Sequence, residues 1–137
     1  MMRTMVVTLS LALMVSTAQA DEQKVHVELN KLESYEGTCR AYLVLENRTE
    51  RAFETLKLDL VMFDTVGVVA RRLAVETAPL AARKTSLKVF DIDGLSCERV
   101  GRVLLNDVMA CADTSGVRDD CLGLVVPAAR GLMEFIK

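Results

Sequence analysis

The sequence predicts an all-β fold: an antiparallel β-sandwich of about seven strands, stapled by two disulfides. Three observations predict it. Apolar and polar residues alternate with period two along most of the chain, turn-forming residues break these runs at short intervals, and four cysteines stand downstream of an export-type leader. A period of two is the signature of a half-buried strand, because successive side chains point to opposite faces.

The runs come in order. Val25, Val27 and Leu29 alternate with Lys24, His26, Glu28 and Asn30, which predicts a first strand ending in a turn around Glu33–Gly37. Cys39, Ala41, Leu43 and Leu45 share one face of a second run, directing Cys39 inward, and Asn47–Glu50 reads as the next turn. Leu56, Leu58, Leu60 and Met62 alternate with Thr55, Lys57, Asp59 and Val61. The Leu, Lys, Glu and Asp content there would also suit a helix, and the strict alternation favours a strand. Asp64-Thr65-Val66-Gly67 supplies a turn, with Gly67 free to take positive φ. Val69, Arg71, Leu73 and Val75 form another run. Pro79–Arg83 then leads to Thr85, Leu87 and Val89, and Asp91-Ile92-Asp93-Gly94 turns the chain again. A strand is expected near Val103–Met109, a last one at Leu122–Val126 before Pro127, and an apolar tail follows at Leu132, Met133, Phe135 and Ile136.

The amino terminus has the three-part layout of a cleavable signal peptide. Arg3 supplies one charge, Met5–Val15 is apolar, and Ser16–Ala20 is small and ends in Ala-x-Ala. The apolar stretch is about eleven residues, short of the roughly 20 that span a bilayer. Cleavage is expected after Ala20, leaving residues 21–137 as one domain in the periplasm. Neither an Arg-Arg pair nor a junction cysteine points to the twin-arginine route or a lipid anchor.

Loss of Arg3 moves the formal charge from −2 to −3. Such a balance argues against nucleic acid as a partner and against an anionic membrane surface. Asp59, Asp64, Arg71 and Arg72 interrupt the later apolar runs, so no transmembrane segment is expected after cleavage.

Cys39, Cys97, Cys111 and Cys121 make an even set in an exported small domain, which reads as two disulfides. Three pairings exist. Cys39–Cys97 with Cys111–Cys121 is favoured, since the second pair brackets the polar loop Ala112–Asp120. No Cys-x-x-Cys spacing supports zinc or a thioredoxin-like centre. A cysteine on the second strand bridged to one entering the sixth resembles the inter-sheet bridge of immunoglobulin-like sandwiches, although no Trp is present to pack on it.

Tyr42–Asp91 resembles the core of FxLyD-type and related extracytoplasmic sandwich domains. The residues carrying the likeness are Asn47, Phe53, Leu56, Leu58, Leu60, Phe63, Asp64, Gly67, Pro79, Lys84, Thr85 and Ser86. The whole mature chain is similar to small exported proteobacterial proteins of unassigned function. The resemblance implies an immunoglobulin-like sandwich and an envelope location, and it carries over no catalytic residue.

No catalytic residue, metal ligand or cofactor is assigned. His26 is the single histidine and falls on the polar face of the first strand, where a solvated ring is expected. Asp91–Gly94 lacks the further ligands of a calcium loop and reads as a turn, and Asp119-Asp120 reads as an exposed acidic loop, with weak calcium binding as its alternative. Asn47-Arg48-Thr49 matches a glycosylation sequon and reads as a turn. Arg71 and Arg72 point to opposite faces of a strand, so they form no joint patch. Lys84 and Ser86 do not make a Ser-x-x-Lys pair.

Three functions remain, in order of preference. The first is a non-catalytic module that binds an envelope protein or assists envelope assembly, using sheet edges, loops or the tail Leu132, Met133, Phe135 and Ile136. The tail has a plainer reading as a tucked last strand. The second is a carrier of a small apolar ligand between the sheets. The third is an enzyme using carboxylates assembled by the fold.

Overall fold

In a computed structural model, residues 23–131 and 133–137 are described; the expected leader and Leu132 lie outside them. The elements are β1 Val25–Tyr35, β2 Thr38–Asn47, β3 Phe53–Phe63, β4 Val69–Glu76, β5 Thr85–Ile92, β6 Arg102–Asp113, β7 Gly116–Val117, the single helical turn α1 Cys121–Leu124, β8 Val125–Ala129 and β9 Glu134–Ile136. They form two sheets. One has the order β5-β2-β1-β8, the other β4-β3-β6-β7 with β9 also on β6. The arrangement is a β-sandwich, as expected. Seven strands pair antiparallel, and the two C-terminal strands add in parallel, β8 to β1 and β9 to β6.

The predicted inward faces meet in one core. Val25, Val27 and Leu29 of β1, Cys39, Ala41, Leu43 and Leu45 of β2, and Leu56, Leu58, Leu60 and Met62 of β3 are all buried. The β1 alternation does not stop at Asn30. A register shift between Leu29 and Lys31 resets which side faces inward, so that Leu32 joins the core and β1 continues to Tyr35. Glu36 and Gly37, both at positive φ, then close a two-residue hairpin with Tyr35 paired to Thr38.

β5 departs from the expected facing. Leu87 and Val89 point outward, at 61% and 38% exposure, while Ile92 is buried and Phe90 packs on the core. The cause is register: Phe90 pairs with Ala41 and Ile92 with Cys39, both inward-facing, and a strand has only two faces. β8 also differs. Cys121–Leu124 is a helical turn, and the strand runs through Pro127. Pro127 is tolerated because β8 is an edge strand.

Both favoured disulfides form: Cys39–Cys97 with Cα atoms 4.9 Å apart and Cys111–Cys121 with Cα atoms 6.4 Å apart. Loops are held by their own polar groups. The Asn47 amide donates to Arg51 and Ala81 carbonyls and accepts from Thr49, so the sequon asparagine is a buried loop organiser. The Asp64 carboxylate accepts from the Val66 and Val68 N–H groups in the β3–β4 turn, and Gly67 takes positive φ there.

Candidate functional site

Sheet edges are the places where a sandwich still has unpaired backbone groups, and folded proteins guard them with inward charges, proline or bulges. β4 turns Arg71 to the core side, opposite buried Met62, where it donates to the Asp93 and Gly94 carbonyls. β5 turns Lys88 inward, opposite buried Leu43. β8 carries Pro127.

The outer edge of β6 is different. β9 pairs with it at Arg102–Leu104 and β7 at Ala112–Asp113. Among the described residues, Leu105–Ala110 have no strand on that side. Two register shifts against β3 fall in this stretch, leaving Asn106 and Met109 as extra residues opposite no partner. Bulges of this kind prevent a long regular ladder and re-aim single side chains. Here Met109 is turned out to 53% exposure, beside Val117 at 91%.

A groove of about 580 Å³ runs along this open stretch, with Val108, Met109, Ala110, Ala112 and Val117 as apolar lining and Asp107, Arg118 and Asp119 as polar lining. It opens beside β6, not between the sheets. Arg118 in its wall is backed by Asp113, a buried carboxylate that accepts from Arg51, Arg118 and the Ser115 N–H. Arg118 also grips Asp120 with two nitrogens, at 2.9 and 2.7 Å. This contact raises the affinity of the guanidinium for its proton and holds the Asp120 carboxyl below the usual range. The Arg118 N–H donates to the Cys111 carbonyl, and the Cys111–Cys121 bridge fastens the segment after β7 to β6.

The tail proposed from sequence as a partner-binding segment lies at the other end of β6. Phe135 is 5% exposed and belongs to the core, Met133 packs against it, and Lys137 donates to the Leu122 and Val125 carbonyls. Phe135 is turned inward because β9 pairs with β6. Ile136, at 38% exposure, is the outward residue of the set, and Leu132 lies outside the described residues. Sequence reasoning missed the β6 stretch. Its only signal was that Asn106, Asp107 and Met109 break the alternation around Val103–Val108.

His26 also differs from expectation. Its register partners are Glu46 and Val126, and the flanking β8 half-covers the ring, leaving Nε2 buried without a partner.

The carboxylates whose proton affinity is moved are all moved down. The leading cause is a hydrogen bond from Asn30 at Glu28, Lys31 at Glu33, Arg48 at Glu46, Arg72 at Asp59, Arg40 at Asp91 and Arg118 at Asp120. These groups are held as ions by neighbours, the opposite of the raised carboxyl of a general acid. Among the described residues no group of three or more His, Cys, Asp or Glu is placed to hold a metal ion, and no helix is long and apolar enough to cross a membrane.

Fold and groove together define a small disulfide-bonded β-sandwich protein with a groove along the outer side of β6. No family model and no curated protein matches the sequence. Among solved structures, IrmA from Escherichia coli is similar, with a TM-score of 0.57 and 15% identity, covering 76% of this chain and 90% of that one. At that identity the likeness is one of fold.

Proposed function

We propose that this chain is a non-catalytic protein-interaction module of the periplasm, and that it holds an extended segment of an envelope protein against β6. The observation that carries the reading is the groove beside Leu105–Ala110, a stretch of β6 that two bulges interrupt and that no described strand covers on its outer side, with Met109 and Val117 exposed. Main-chain pairing supplies affinity in such a mode and side-chain pockets supply choice. The two bulges limit the ladder to a few hydrogen bonds, so the groove contributes most of the selectivity. Two disulfides suit an oxidising compartment, and the signal-peptide pattern and the FxLyD-type resemblance support the same location.

The test is affinity purification of the tagged mature protein from its native periplasm after mild crosslinking, alongside Met109→Lys and Val117→Asp. One reproducible partner, lost in both variants while their thermal midpoints stay unchanged, is the expected result. A partner retained by both variants would remove the groove from the reading. Turnover of an envelope substrate by the purified protein would remove the non-catalytic assignment.

A further inference from the structure

The two disulfides use all four cysteines of the chain, so no thiol is left to take up an oxidant first. The next group on the oxidation ladder is the methionine thioether. Met62, Met109 and Met133 lie among the described residues, and the fold treats them differently. Met62 is fully buried in the core between the sheets. Met133 is half-buried and packs against that core. Met109 is 53% exposed. It is an extra residue in the β6 ladder: Val108 pairs with Leu58 and Ala110 with Lys57, so no residue of β3 stands opposite it. Its side chain lies outside the core and lines the groove with Val108 and Val117.

We propose that Met109 is the oxidation site of the folded protein, taking one oxygen atom from a peroxide, and that its sulfoxide weakens docking on the β6 groove. The inference rests on β6 being the docking edge and adds a redox control to it. In the step, a sulfur lone pair attacks one peroxide oxygen. The S–O bond forms as the O–O bond breaks, and the leaving hydroxide takes the remaining peroxide proton and departs as water. Sulfur is oxidised by two electrons and the peroxide is reduced by two. The product is polar and chiral where the thioether was apolar and flexible. A sulfoxide oxygen covered by an apolar side chain loses its water without a replacement hydrogen bond. Because Met109 stands outside the core, this change spares the fold, whereas oxidation of Met62 would put a polar group between the sheets.

The folded mature protein is treated with limiting hydrogen peroxide and mapped by mass spectrometry. Trypsin cuts at Arg71, Arg102 and Arg130 and so puts the three methionines on separate peptides. The oxidised protein is then compared with the untreated one in capture of a crosslinked partner from periplasmic extract. The one-oxygen mass increase should appear first on the Met109 peptide and last on that of Met62, with the thermal midpoint unchanged. Capture should fall about tenfold, the scale set by an uncompensated polar group in an apolar contact. Met109→Leu lacks the sulfur, so whatever it captures should be the same before and after peroxide. Oxidation of Met62 or Met133 as fast as Met109 would overturn the site and leave β6 docking standing. Undiminished capture after full Met109 oxidation, or an equal loss in Met109→Leu, would overturn the redox control. No partner with the untreated protein would overturn β6 docking and the control together, and the order of oxidation would then stand alone.

Discussion

Asp59 and Arg72 face each other across β3 and β4 in a two-pronged ion pair, with two guanidinium nitrogens each 2.8 Å from a carboxylate oxygen. Asn106, one of the two bulge residues of β6, donates a third hydrogen bond to the same carboxylate at 2.8 Å. Asp59 stands on the outward side of β3, yet its side chain is only 3% exposed, against 65% for Arg72. This asymmetry orders the mutational costs. Arg72→Ala leaves a buried carboxylate with Asn106 alone and should be the more destabilising change. Asp59→Ala leaves an arginine that can return to water and should cost about 1–2 kcal/mol. Urea unfolding of the two variants checks the order, and a larger loss for Asp59→Ala would refute it. The pair also predicts acid sensitivity. Arg72 and Asn106 hold the Asp59 carboxyl below its usual range. A depressed carboxylate contributes stability that is present above its unfolded value, about 3.9, and is lost as pH falls through the folded value. The wild type should therefore lose more stability than Asp59→Asn between about pH 4 and pH 2.

The two disulfides should differ in worth. Cys39–Cys97 closes a separation of 58 residues and Cys111–Cys121 one of 10. By chain entropy the first contributes about 4 kcal/mol and the second about 3 kcal/mol. Paired Cys→Ala variants compared by chemical denaturation should show the larger loss for Cys39/Cys97. The Cys111/Cys121 variant should stay folded but loosen the segment after β7, seen as faster amide exchange around Arg118.

Phe135 separates a structural role for the tail from a binding one. It is buried against the core and sits on a three-residue strand. Phe135→Ala should lower stability by about 3 kcal/mol, while Ile136→Ser, on the exposed side, should stay within about 0.5 kcal/mol of wild type. Similar, small effects from both would mean that the tail does not pack as described.

Much of the fold was legible because burial leaves a two-residue rhythm wherever one strand face meets the core. The rhythm placed Cys39, Ala41, Leu43 and Leu45 on a common inward face, and the same face of β3 at Leu56–Met62. It misled at β5, where Leu87 and Val89 are as apolar as Phe90 and Ile92, so composition could not say which row turns inward. Pairing with Cys39 and Ala41 decided it. At Asn30, Asn106 and Met109 the rhythm only breaks, and a break within one strand does not reveal a bulge, because a bulge is a mismatch between two strands.

The sequence alone determined the class of fold, the inward faces of the first three strands and a preferred disulfide pairing. These follow from local pattern and from four cysteines, and need no knowledge of which strands are neighbours. Tertiary structure decided the parallel addition of β8 and β9, the burial of Phe135, the three-strand Asp59–Arg72–Asn106 contact and the open edge of β6. Each of these depends on which element lies beside which, and an edge exists only where a neighbour is absent.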